Sequence, residues 1–199
     1  MATMHPRAVF PASMFELCRT LAAGFETFQR EAAALQPDEF QPWADRGAYS
    51  DGWVVYPFVM AAMPPGFHVD FRRHRARCPG SWGLLRDPRV ILAAFSRLLP
   101  GCHIYPHNDH PAFDMMRFHL GLSNAGQAGM RVPGQTLPQT PGQAYVFDSA
   151  LQHEAGNLGT VPRDVLLVDF RLADDEVAAV DRMRAEFMLG HGGSAATKG

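Results

Sequence analysis

Between Leu92 and Leu172 the chain is a succession of short apolar runs cut by turns: LAAFSRLL (92–99), CHIYPH (102–107), MMRFHLGL (115–122), QAYVFD (143–148) and DVLLVDFRL (164–172). These runs are rich in aromatic and branched residues, and most end at a Gly, Pro or Asp turn, as strands do. Proline–glycine punctuation recurs around them, at 79–80, 100–101, 133–134 and 141–142. Five strand candidates in about eighty residues predict a mainly β domain, an antiparallel sandwich or barrel.

Working outward, WVVYPFVM (53–60) is a further strand, with Pro57 confining its middle to an edge or bend. Phe15, Cys18, Ala22, Phe25 and Ala32 follow helical spacing, and Ser13 with Glu16 suggests a capping box, so an amphipathic helix is expected over about 12–36. Residues 36–52 read as loop, 87–92 as a short helix or turn, and 123–140 as a Gly/Gln/Pro-rich link. ADDEVAAVDRMRAEFML (173–189) opens with acidic residues and keeps apolar positions at helical spacing, which predicts a closing helix and leaves 191–199 as a tail. The expected organisation is one domain over 1–190 with a β core at about 53–172.

Composition narrows the function classes. Charged residues are 19% of the chain and the formal charge is −2, which gives no electrostatic reason to expect nucleic acid or an anionic membrane as partner. Three scattered cysteines form no CxxC pair, and the N-terminal MATMHPRAVF lacks the apolar core of a signal peptide, so a reducing cytoplasm is expected. FRRHRARC (71–78) is a basic run that fits either a solvated surface or attraction of an anionic substrate.

The chemistry centres on His107-Asn108-Asp109. His and Asp at i and i+2 share a face of an extended strand. One more imidazole completes two His and one carboxylate, the facial triad that non-haem Fe(II) oxygenases use because it leaves coordination positions open. His153, after the QAYVFD strand, supplies it. Arg117 and His119 form another i, i+2 pair, and Arg163 opens the DVLLVDFRL strand. Arg in an apolar barrel is costly unless an anion pairs with it, and its planar fork matches a carboxylate such as the distal one of 2-oxoglutarate.

With these residues in order, the stretch 78–172 resembles the aspartyl/asparaginyl β-hydroxylase family of Fe(II)/2-oxoglutarate oxygenases. The matching segments are CP (78–79), FSRLLPGCHIYPH (95–107), RFHLGL (117–122), FDSALQHEAGN (147–157), Arg163 and VDF (168–170). The resemblance implies a double-stranded β-helix, or jelly roll, with iron held by His107 and His153. It implies 2-oxoglutarate contacts from Ser96 and Arg163 at one end and from Arg117 and His119 near the other. Animal members of that family have glycine where this chain has Asp109, so a full triad of His107, Asp109 and His153 is expected here. The expected activity is hydroxylation of an amino acid or amino-acid-derived small molecule with Fe(II), 2-oxoglutarate and O2. The alternatives are hydroxylation of Asp or Asn residues in a peptide or protein, or a cupin-like metal enzyme or sensor that uses no 2-oxoglutarate. Among neighbouring residues, His103 or His110 is a candidate for the site's rim, and Asp148 and Glu154 for orienting His153 or simply for turns.

Overall fold

A computed structural model describes residues 7–109, 114–123 and 126–192. Eleven strands are present among them: β1 (Val9–Phe10), β2 (Gln41–Pro42), β3 (Trp53–Met60), β4 (Val90–Leu98), β5 (His103–His107), β6 (Met115–Gly121), β7 (Ala128–Val132), β8 (Gln135–Pro138), β9 (Ala144–Phe147), β10 (His153–Asn157) and β11 (Arg163–Arg171). They pair antiparallel throughout, in a seven-stranded sheet of order β1-β9-β6-β11-β4-β3-β2 and a four-stranded sheet of order β5-β10-β7-β8. This is the jelly-roll architecture, a double-stranded β-helix. Five helices flank it: α1 (Glu16–Ala23), α2 (Phe25–Ala33), α3 (Phe71–Arg77), α4 (Pro79–Leu84) and α5 (Asp174–Gly192).

Two cores divide the chain. Between the large sheet and the helices, Phe15, Leu21 and Phe28 pack with Phe58, Phe95, Phe118 and Phe170. Between the two sheets, Trp53, Val55, Ala94 and Leu98 meet Ile104, Met130, Leu137 and Ala155. The central strand β11 is buried on both faces from Arg163 to Phe170, which is why it reads as a nearly continuous apolar run and does not alternate.

All five strand candidates form, and so does the 53–60 strand. Its register shifts between Pro57 and Val59, where β2 no longer covers it. The basic run is helix α3, and it seals that edge: His74 Nδ1 contacts the Pro57 carbonyl at 2.8 Å and Arg75 donates twice to the Phe58 carbonyl. Capping exposed strand carbonyls in this way protects an edge from further pairing.

Several expectations need correction. The N-terminal helix is two helices broken at Gly24, where a Cβ would lie 2.4 Å from Leu84 Cδ1. Ser13 caps nothing; it lies in a short 3-10 turn, and Phe15 is the residue before α1. The 36–52 loop contains β2 and a 3-10 turn closed by Gln36 and Glu39. Of residues 87–92, the turn alternative holds for 87–89, where Asp87 accepts from the Arg89 backbone N–H, while 90–92 already belong to β4. The link at 123–140 holds the hairpin β7–β8, turned at Gly134 with φ 78°. The closing helix extends to Gly192, and the rest of the expected tail, 193–199, lies outside the described residues.

Candidate metal centre

His107 ends β5 and His153 begins β10, and the two are cross-strand partners in the small sheet. Their ring centroids lie 4.3 Å apart. Asp109 follows two residues after the end of β5. Its backbone N–H donates to the Ser149 carbonyl, and Asn108 Nδ2 donates to the Ala150 carbonyl at 2.8 Å. These bonds seat the His107–Asp109 segment on the turn before His153. An Asx turn at Asp148, with Ala150 N donating to its carboxylate, shapes that support. One donor atom each from His107, Asp109 and His153 falls within a 4.8 Å cluster.

Backbone carbonyls set the tautomers. His107 Nδ1 lies 2.7 Å from the Tyr105 carbonyl, and His153 Nδ1 lies 2.9 Å from that of Leu151. A carbonyl only accepts, so each Nδ1 carries a proton, and in the neutral ring the lone pair then lies on Nε2. His153 Nε2 is buried without a hydrogen-bond partner among the described residues, and Asp109 Oδ2 is met by the Arg117 guanidinium in an ion pair. Burial pushes the His107 pKa down, which favours the neutral, ligating form. Burial works to raise the Asp109 pKa, but the Arg117 guanidinium beside it outweighs this and holds the carboxyl well below its ordinary range. The donor set therefore fits a divalent transition metal: two imidazoles and one carboxylate clustered together, with neither Nε2 hydrogen-bonded and the carboxylate held by Arg117.

Arg117, on β6, forms an ion pair with Asp109 through Nη1 and grips Asp169 of β11 bidentately at 2.6 and 2.7 Å. Burial would lower its pKa, but Asp169 and Asp109 outweigh that and raise it. Its guanidinium is thus committed to two carboxylates.

A narrow cavity joins this end of the barrel to its interior. Ser96, His107, Arg117, His119, His153 and Arg163 line it, with apolar walls from Trp53, Ile104, Met130 and Leu167. The structure therefore brings six of the seven sequence candidates to one cavity, with Asp109 ion-paired to Arg117 and within 4 Å of His107 and His153. Ser96 Oγ accepts from Trp53 Nε1 at 3.0 Å, which leaves its own proton free to donate. His119 is 5% exposed, with neither ring nitrogen hydrogen-bonded, and burial holds its pKa well below the ordinary imidazole value. Arg163 is 1% exposed; burial lowers its pKa to about 10. It donates from Nη2 to Gln139 Oε1 at 2.8 Å, and its Nε has no acceptor.

Other nearby residues have different positions from those considered in the sequence. His103 faces outward and bonds Glu154 at 2.8 Å, and Glu154 also pairs with Arg131, so neither Glu154 nor Asp148 touches His153. Asp148 instead pairs with Arg184 of α5. His110 lies outside the described residues. Sequence reasoning missed Asp169 and Gln139. A lone acid in the apolar VLLVDF run was the available signal for the first; nothing in the polar LPQTPGQ stretch marked the second.

The family model described as aspartyl/asparaginyl beta-hydroxylase matches residues 22–172. The chain belongs to this family. An ornithine lipid ester-linked acyl 2-hydroxylase of Rhizobium tropici is 35% identical over 109 residues, 53% of this chain and 38% of that protein. The aspartate beta-hydroxylase domain-containing protein 2 of Xenopus tropicalis is 26% identical over 162 residues, 76% of this chain and 41% of its own length. The chain thus matches about two fifths of each curated relative. Among solved structures, a Pseudomonas putida prolyl-4-hydroxylase aligns with TM-score 0.45 and 20% identity over 85% of this chain and 92% of that one. An oxidoreductase of the 2OG-Fe(II) oxygenase family from Burkholderia pseudomallei aligns with TM-score 0.45 and 14% identity over 73% and 78%. No helix among the described residues is long and apolar enough to cross a membrane.

Proposed function

We propose that the chain is an Fe(II)/2-oxoglutarate-dependent hydroxylase acting on a C–H bond of an amino acid or amino-acid-derived small molecule. The observation that carries this reading is the distribution of unmet polar atoms. Eight buried side-chain polar atoms lack a hydrogen-bond partner among the described residues; five belong to His119, Gln139, His153 and Arg163, and a sixth, Asp109 Oδ2, has only its ion pair with Arg117. Buried polar groups are otherwise satisfied in folded proteins, so a concentration of orphans in one region points to an absent ligand. The orphans at one end suit a metal. The buried cation at the other suits a carboxylate.

In this reading His107, Asp109 and His153 hold iron. Iron with 2-oxoglutarate and dioxygen supplies an oxidation that places one oxygen atom in the substrate C–H bond and the other in succinate, with release of carbon dioxide. The chain's own residues prepare the site. The Tyr105 and Leu151 carbonyls aim the two imidazoles, and Arg117 fixes Asp109. Arg163 and the hydroxyl of Ser96 hold the distal carboxylate. His119, neutral and unpartnered, stands between the two ends as a donor or acceptor for the rest of the dicarboxylate, and the apolar walls keep water away.

A groove of about 290 Å³ reaches His153 from outside, lined by Pro106, Val132 and Pro133 together with the Arg131–Glu154 pair. It is the proposed approach for substrate and offers both apolar and ionic surface. It uses the end of β7 and the 133–134 turn; the basic run on α3 lines neither cavity. A second reading, that the substrate is an acyl chain on an amino-acid-derived lipid, is favoured by the 35% identity to the ornithine lipid acyl hydroxylase.

The test is an anaerobic titration with Fe(II) and then 2-oxoglutarate, followed by a succinate-release screen. Free amino acids, aspartyl and asparaginyl peptides and micellar ornithine lipid form the panel. Metal-to-ligand charge-transfer absorption on adding 2-oxoglutarate is expected; its absence would sink the proposal.

A further inference from the structure

The large sheet carries three arginines on β4, β6 and β11 that are buried or nearly so, and they are satisfied differently. Arg97 grips Asp164 bidentately at 2.7 and 2.9 Å, and Arg117 grips Asp169 and Asp109. Arg163 has no carboxylate bonded to it among the described residues. Its neighbour Asp164 is taken up by Arg97 on the opposite face of the sheet, and Asp109 and Asp169 are held by Arg117. Its bond goes to an amide, Gln139 Oε1, in a residue 2% exposed.

The placement of Gln139 depends on a close backbone approach. A Cβ at Gly121 of β6 would lie 2.1 Å from the Thr140 carbonyl oxygen, so only glycine lets the segment after β8 lie against β6. Gln139 N donates to the Ala128 carbonyl at 3.0 Å, and Gly142 N to that of Gly121 at 2.9 Å, which pins both sides of the segment. The amide nitrogen of Gln139 is buried with no acceptor, so the amide gains only its contact with Arg163 from the protein.

We propose that Gln139 is a positioning residue for the anion subsite: it fixes the Arg163 guanidinium through a neutral acceptor and so leaves the full positive charge for the distal carboxylate of 2-oxoglutarate. A glutamate of the same shape would make the same bond and cancel the charge. Carboxylate recognition by a buried guanidinium depends on that charge being uncompensated before the ligand arrives. The inference rests on the 2-oxoglutarate reading above.

The experiment measures calorimetric binding, without oxygen, to the Fe(II)-loaded full chain. The probes are 2-oxoglutarate and 2-oxopentanoate, which carries a methyl group in place of the distal carboxylate. Gln139→Glu is expected to weaken 2-oxoglutarate about a hundredfold while changing 2-oxopentanoate less than about threefold. Gln139→Leu, which loosens Arg163 without neutralising it, is expected to weaken 2-oxoglutarate only about tenfold. Gln139→Glu is nearly isosteric, so a purely structural role predicts little change with either probe. Near-wild-type binding of 2-oxoglutarate by Gln139→Glu, or equal losses for both probes, overturns the inference. A wild-type chain that takes up Fe(II) but neither oxo acid overturns the underlying reading instead.

Discussion

The two faces of the seven-stranded sheet use the same residue types to opposite ends. On the outer face, under the helices, Arg97 sits 4.0 Å over the Phe40 ring and is closed by Asp164. Around it, phenylalanines pack edge to face, as Phe58 on Phe95 and Phe15 on Phe170. On the inner face, one residue along the same strand from Asp164, Arg163 is left with a neutral partner, and His119 with none. A strand alternates its side chains, so β11 can present a finished surface to one side and an unfinished one to the other. The outer face maximises stability. The inner face holds buried polar atoms that the described residues leave without partners.

That contrast can be broken most sharply at Asp109. Asp109→Ala is expected to abolish Fe(II) binding and turnover while leaving the fold intact, as read by metal titration and circular dichroism; retained activity would mean the carboxylate is no ligand. On the outer face, Phe95→Ala is expected to cost about 3–5 kcal/mol in urea unfolding, with Fe(II) affinity of the folded fraction unchanged. Arg163→Met tests whether the inner face trades stability for binding. It is expected to lose 2-oxoglutarate affinity about a hundredfold yet raise the apo-protein's stability by about 1 kcal/mol, since it removes a buried cation with no counter-charge. A fall in stability would place Arg163 with the structural arginines. The smallest effect concerns pH. His119 is held neutral when folded, with its pKa well below the ordinary 6.5, so the unfolded chain binds the extra proton first. Stability is therefore full above about pH 6.5 and falls as pH drops below it, by about 1.4 kcal/mol per unit from this residue. His119→Leu should flatten that slope by this amount in unfolding curves at pH 5 and 6; an unchanged slope would show that His119 takes up a proton in the folded state.

How far the sequence revealed these faces depended on how strongly each segment advertised itself. Long apolar runs such as 90–98 and 163–171 were legible because burial on both faces leaves little polar interruption. β7, β8 and β10 were not. HEAGN contributes only Ala155 to the hydrophobic core, and QTLP alternates over just four residues, too short a pattern to separate from a linker. In the site, residue types and spacing singled out His107, Asp109, His153 and Arg163 as candidates. The commitment of Arg117 to two carboxylates was hidden because Asp169 lies 52 positions away and meets it only through strand register. Gln139 was hidden for a similar reason. Its significance comes from the amide lying beside a buried guanidinium, a relation created by the Gly121 contact.

The cross-strand pairing of His107 with His153 also bears on how the chain checks its own folding. The two imidazoles converge because β5 and β10 meet in one register, with an irregularity immediately after His153. Slipping a strand by one residue turns each side chain to the other face of the sheet. A molecule whose small sheet has mispaired therefore cannot bring the candidate ligands together. On the proposed reading, loading with metal would select correctly registered molecules from those that are merely compact, and the site would serve as an assay of its own assembly.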